Sequence, residues 1–155
     1  MNETFRQKAA LVVKWLIRDF HLTVFQACGI VGNLGRESEG FAILREIGAP
    51  AGRGGYGWGQ WTGSRGSLFL NWAHTNHLDW RSDEANYGYL KHELEGPYAF
   101  VIFHLRAAKT LDQAVVTFER FYERAGVPAM NDRFVWAEEA LRLYNAANGG
   151  ATADA

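Results

Sequence analysis

The apolar residues Phe5, Ala9, Val12, Val13, Leu16, Ile17 and Phe20 recur every three or four positions, a period that gathers them on one face of an α-helix. Thr4 and Gln7 have the spacing of a capping box at its start. The same signals return at once. Thr23 and Gln26 form a second start, and Phe25, Cys28, Val31 and Leu34 form a second stripe that runs to about Arg36. Two adjacent amphipathic helices commit the chain to a largely helical core, and the second delivers Glu37 at its carboxyl end.

From Gly48 to Gly66 the pattern changes. The stretch is dense in glycine, carries Pro50 and the aromatic residues Tyr56, Trp58 and Trp61, and has no helical period, which predicts a loop or short hairpin. Helical patterns then resume over about 68–77, 83–94, 98–107, 111–122 and 132–146, with starts at Thr110 and Asn131 and a stop at Gly96. The expected architecture is an α bundle interrupted by one glycine- and aromatic-rich segment. It forms a single domain over residues 1–147, and the small, polar residues 148–155 are expected to be a flexible tail. A length of 155 residues suits one hydrophobic core.

Composition removes several function classes. Sixteen Lys and Arg against 17 Asp and Glu leave a net charge of -1, so no overall field draws the chain to nucleic acid or an acidic membrane. The lone Cys28 has no disulfide partner and sits among apolar neighbours, the setting of an inert buried thiol. His74 and His77 are three apart on an expected helix, yet no Cys or acidic residue completes a zinc set. No metal and no cofactor is therefore expected. The polar residues after Met1, and Lys14, Arg18 and Asp19 within the first apolar stretch, match neither a signal peptide nor a membrane span. The expectation is synthesis in the cytoplasm, with delivery to any substrate beyond the membrane left to another protein.

The residues able to carry chemistry fall in two short runs. The first is Gly32-Asn-Leu-Gly-Arg-Glu-Ser-Glu-Gly-Phe41, and the second, about twenty residues on, is Gly55-Tyr-Gly-Trp-Gly-Gln-Trp-Thr-Gly-Ser-Arg65. A carboxyl at a helix end facing a wall of rings and an amide is a plausible sugar cleft. Glycoside hydrolysis needs an acid for the leaving oxygen, and stacking and hydrogen bonds to hold the rings. An apolar surround, for example Phe41 and the nearby tryptophans, would keep Glu37 protonated near neutral pH. The alternative is an exposed Glu37 paired with Arg36, Arg45 or Arg53 beside glycines that merely make turns.

Taken together, Gly29-Ile-Val-Gly-Asn-Leu-Gly-Arg-Glu-Ser38 and Tyr56-Gly-Trp-Gly-Gln-Trp-Thr-Gly-Ser-Arg65 resemble the signature of the phage tail lysozyme family, within the lysozyme-like superfamily. The resemblance continues through 83–94, the run Phe118-x-x-Phe-Tyr-Glu-Arg-Ala-Gly126, Arg133 and Ala137, to about residue 145. It implies a mainly α, lysozyme-like α+β fold, with a Gly/aromatic-rich loop or hairpin between amino-terminal helices and a carboxy-terminal helical lobe. It also implies Glu37 as general acid, and hydrolysis of the β-1,4 bond between N-acetylmuramic acid and N-acetylglucosamine. Gln60 matches a glutamine that helps line such clefts.

Glu39 is an insertion relative to the family's usual turn after Glu-Ser and is a rival for the acid role. Glu46, nine residues after Glu37, is the candidate second carboxylate, the alternative being a surface pair with Arg45 or Arg53. Tyr56, Trp58, Trp61 and Arg65 are candidates for binding sugar or stem peptide, although either tryptophan would serve equally as a core plug. Tyr122 is a candidate for the opposite wall of the cleft, although its spacing with Phe118 fits core packing as well. The functional expectation is a monomeric phage endolysin acting in host lysis, released to peptidoglycan by a holin-type partner. A lytic transglycosylase, a chitin-type substrate and a non-catalytic wall-binding or tail-structural module stay open as alternatives.

Overall fold

Seven α-helices account for most of the computed structural model, which describes residues 1–51 and 53–148. The expected tail over 149–155 lies outside the described residues. The amino-terminal helices are α1 (Glu3–Phe20) and α2 (Val24–Ser38). After the glycine-rich segment come α3 (Gly63–Thr75), α4 (Asp83–Glu95), α5 (Ala99–Leu105), α6 (Leu111–Phe118) and α7 (Met130–Ala147). Between α6 and α7 the chain makes a π-helical turn over Glu119–Glu123.

Helix α2 is the axle. It is buried almost all round, from Val24 to Gly35 with Phe25 half-buried, and packs chiefly against α7 and α6, then against α1. Close approach requires small residues on its surface. A Cβ added at Gly29 would lie 2.6 Å from the Ala114 Cβ of α6, and one at Gly32 would lie 2.5 Å from the Ala137 Cβ of α7. These glycines face alanines on the neighbouring helices, so backbone meets backbone and the helices close tightly on α2.

Most helix ends follow local chemistry. The Thr23–Gln26 capping box is formed in both directions, Thr110 caps α6, and α4 stops at Gly96. Three starts differ from expectation. Helix α1 begins before Thr4, because Asn2 caps it by accepting from the Phe5 amide at 2.8 Å. Helix α7 begins at Met130, after Ala129 in the left-handed region, and no side chain caps it; Asn131 lies within its first turn. Helix α3 starts at Gly63, because its glycine- and serine-rich first turns pack beneath Trp61: a Cβ at Gly66 would lie 2.8 Å from the Trp61 carbonyl oxygen. Tertiary packing overrides weak local propensity there.

The segment between α2 and α3 is a minimal hairpin held by isolated bridges. Tyr56 and Trp61 exchange both backbone hydrogen bonds, at 3.0 and 2.9 Å, and Tyr56 also bridges to Arg45. Its tip is fixed from outside: the Asn86 side chain of α4 accepts from the Trp58 amide at 2.8 Å. A Cβ at Gly57, where φ is +75°, would lie 2.4 Å from that Asn86 oxygen.

Replacing Gly32 by Ala drives a methyl into the α7 backbone. The expected loss is about 1–3 kcal/mol, read from urea denaturation. Gly126→Ala, where an added Cβ meets nothing within 4 Å, is the control. Equal midpoints for the two variants would show that the α2–α7 approach is not limiting.

Candidate active site

Asn33 and Glu37 stand one helical turn apart on α2 and share a face. The Asn33 amide donates to the Gly29 carbonyl at 2.8 Å and across to the Val115 carbonyl of α6 at 3.1 Å. Its oxygen accepts from Arg133 Nη1 of α7 at 3.1 Å. Arg133 then donates through Nη2 to Glu37 Oε1 at 2.7 Å and through Nε to the Pro128 carbonyl at 2.6 Å. The guanidinium side chain is 1% exposed and the Glu37 side chain 19%. A charge so buried is stable only when paired and hydrogen-bonded. Asn33, Pro128 and Glu37 meet that demand and hold the carboxyl in one orientation.

Beyond Glu37 the chain reverses sharply. Glu39, Gly40 and Phe41 all have positive φ, at 47°, 64° and 67°. The Ser38 hydroxyl ties the turn by donating to the Leu34 carbonyl and accepting from the Phe41 amide. The insertion at Glu39 is thus absorbed as a left-handed helix cap. Its side chain is exposed and lines neither groove described below, which argues against Glu39 as the acid.

Two grooves meet at Glu37. The inner one, of about 240 Å³, runs between Gly59–Thr62 of the hairpin and Glu123–Gly126 at the end of the π-turn, and Arg65 lines it too. The outer one, of about 430 Å³, runs between Arg36 and the Ile43–Ile47 segment, and Glu46 lines it. Gln60 and Thr62 line both. Gln60, at φ 48°, donates to the Gly57 and Ile43 carbonyls at 2.9 and 3.3 Å, so its amide locks the hairpin where it borders the cleft.

Several expected binding residues are structural. Trp58 is 1% exposed and packs on Phe41, ring centroids 4.6 Å apart. Trp61 is 2% exposed and donates to the Tyr122 hydroxyl at 3.0 Å. Neither offers a free face to a sugar, because the hairpin tip must plug the core it folds over. Tyr122 is fully buried and lines neither groove: its hydroxyl donates to Glu93 at 2.5 Å. Arg65 is committed to Glu93 at 2.8 Å and to the Tyr122 carbonyl at 3.1 Å, with its guanidinium over the Tyr98 and Tyr122 rings. Tyr56 is half-buried between the Arg45 guanidinium and the Trp80 edge. Glu46 is exposed on the outer groove, and among the described residues no ion pair links it to Arg45 or Arg53.

The apolar surround expected for Glu37 is absent: Phe41 and Trp58 pack on each other, and Arg133 meets the carboxyl instead. Glu123 also lines the inner groove, and among the described residues its Oε1 is buried with no hydrogen-bond partner. Burial, and next the negative charge of Glu37, push Glu123 well above the usual carboxylate range, against the pull of Arg133 and Arg65. Sequence reading passed over Glu123 and gave Arg133 no role. No sequence signal marked Glu123, because it ends a π-helical turn in which the ordinary helical period does not hold.

His77 lies beyond the end of α3 in a left-handed conformation, so it shares no helix face with His74. Burial pushes the Cys28 thiol up to about 12, which keeps it protonated and unreactive. Among the described residues, no helix is long and apolar enough to cross a membrane.

A mainly helical domain, whose central helix ends in a carboxyl at a groove walled by a glycine-rich hairpin, defines a lysozyme-like protein. The chain belongs to the phage tail lysozyme family, whose sequence model matches residues 7–144. A comparison with curated proteins found no match. Family membership indicates a lysozyme-like function directed at peptidoglycan.

Removing the cation from the Glu37 clamp leaves the Asn33 oxygen, the Pro128 carbonyl and the Glu37 carboxyl short of a donor. Arg133→Met is expected to cost about 3–5 kcal/mol of stability, measured by urea denaturation. A loss under about 1 kcal/mol, the size of an exposed ion pair, would show that the clamp is peripheral.

Proposed function

We propose that this protein is a muramidase that hydrolyses the β-1,4 bond between N-acetylmuramic acid and N-acetylglucosamine, with Glu37 as general acid. The observation that carries the reading is the position of Glu37. It is the one acidic side chain lining both grooves, so a glycan strand laid along them passes its carboxyl in either direction. Protonation of the bridging oxygen by Glu37 leaves a carboxylate beside Arg133, 2.7 Å away, and that cation stabilises the charge as it forms. Glu46, across the outer groove, is the carboxylate the reading assigns to the attacking water, as an inverting hydrolysis requires. Thr62, exposed and common to both grooves, supplies a hydroxyl to the sugars. Tyr56, with part of its ring accessible, is retained as a weaker contact for the strand or its peptide.

Clearing of purified peptidoglycan tests these assignments. Glu37→Gln keeps an oxygen for Arg133 and is expected to lower the rate at least about 100-fold. Glu46→Gln should lower it about tenfold or more, and Glu39→Gln should not change it. An undiminished rate for Glu37→Gln would refute the reading. Binding to the wall without clearing by any variant, wild type included, would instead identify a wall-binding module.

A further inference from the structure

Glu123 lines the inner groove beside Glu37 but has no part in the proposed reaction. The segment carrying it is irregular: after Phe118 the helix widens into a π-turn closed by the Arg124 amide donating to the Glu119 carbonyl, five residues back, at 2.6 Å. Such turns rotate the side chains that follow and occur often at functional sites. Here the turn sends Tyr122 into the core and leaves Glu123 on the groove that holds Glu37.

The neighbouring charges are already spent. Arg133, from α7, is bound to Glu37 of α2, to Asn33 and to Pro128. Arg65, from α3, is bound to Glu93 of α4 and to the Tyr122 carbonyl. On the segment itself, Glu119 accepts from the Ala125 amide at 3.0 Å. Arg124, also a groove residue, is exposed. Among the described residues, Glu123 Oε1 has no hydrogen-bond donor and no ion-pair partner. Buried polar atoms seldom lack partners, and an ionised Glu123, half-buried, would be offset only by the more distant pull of Arg133 and Arg65. Arg133 with an ionised Glu37 is already neutral, so the resting cluster of two carboxyls and one guanidinium is neutral only if it carries one proton.

We propose that this proton rests on Glu123 and is supplied to Glu37 during the reaction, so that the two carboxyls work as a pair sharing one proton. The inference rests on the muramidase reading for its chemistry. With a strand bound, the pair's proton passes from Glu37 to the bridging oxygen, the C1–O bond breaks, and its electron pair stays on that oxygen, which leaves as a sugar hydroxyl. Both carboxyls are then ionised beside Arg133. A water oxygen bonds to C1 and its proton passes to Glu46, the base already assigned; Glu46 then gives up that proton to solvent, and the pair takes one up from solvent. Glu123 acts through Glu37 and positions its proton; the sugar need not touch it.

Carbon-13 NMR of the full chain labelled at glutamate carboxyls tests the resting state without any substrate. The Glu123 carbonyl is expected to titrate far above the ~4.3 of a free glutamate. In Glu37→Gln its midpoint should fall by about one pH unit or more, because a negative neighbour is lost and the Arg133 charge is no longer neutralised by it. An ordinary Glu123 midpoint, or one unmoved by Glu37→Gln, would overturn the pair while leaving the muramidase reading standing. Kinetics add a second reading. Glu123→Gln keeps the volume but carries no proton to give, so kcat should fall at least about tenfold near neutral pH with KM within about twofold. Its pH profile should differ from that of the wild type, since one carboxyl then does the work of two, and Glu123→Asp should recover part of both. A wild-type pH profile in Glu123→Gln would refute the proposal. An active Glu37→Gln would refute the muramidase reading itself and leave the carbon-13 titration of Glu123 unaffected.

Discussion

The grip of Arg133 on Glu37 ties the site to the core. It joins the end of α2 to the first turn of α7 through a buried Arg133 and a half-buried Glu37, and it exists only because the two helices lie close enough for one guanidinium to reach Asn33, Glu37 and Pro128 together. That closeness depends on Gly32 facing Ala137 and on Gly35 facing the Trp136 ring, where an added Cβ would lie 2.9 Å away. The helix that presents the acid is therefore also the helix with the least tolerance for side-chain volume. Packing on one side of α2 sets the direction of the carboxyl on the other.

A second polar cluster does for the far wall what Arg133 does for the acid. Glu93, 2% exposed, gathers Arg65, Tyr122 and Tyr89, and Tyr122 in turn carries Trp61. The hairpin is thus hung from α4 and the π-turn by side chains, since its own bridges are too few to stabilise it alone. The aromatic residues that look in sequence like a sugar-stacking surface are spent on this anchoring. What faces the grooves is largely polar, namely Gln60, Thr62, Glu46, Glu123 and the backbone of the hairpin, with Ile43 and Ile47 beside the outer one.

The helical plan was legible because α1, α2 and α6 carry regular apolar stripes, and because Thr23 and Thr110 carry side-chain signals that act locally. The start of α3 was hidden, since Gly63, Ser64 and Gly66 favour loop unless Trp61 packs above them. Glu37 stood out through the two spaced motifs and the resemblance they carry. Trp58 and Trp61 were undecidable, because a large ring with a polar edge suits a core and a sugar groove alike. Glu123 was invisible for a different reason: the π-turn that brings it to the cleft breaks the helical period from which side-chain direction is read. The insertion at Glu39 had no readable path either, since three successive positive φ values have no local sequence signature when two of the residues are Glu and Phe.

Because Glu37, Arg133 and the two grooves form one arrangement, the most direct test of the account is the chemistry of the ends it creates. Mass spectrometry of muropeptides released from purified peptidoglycan by the wild-type chain should show reducing N-acetylmuramic acid termini carrying one added water per cut. Termini in the 1,6-anhydro form, reducing N-acetylglucosamine ends, or no release of soluble fragments would contradict it.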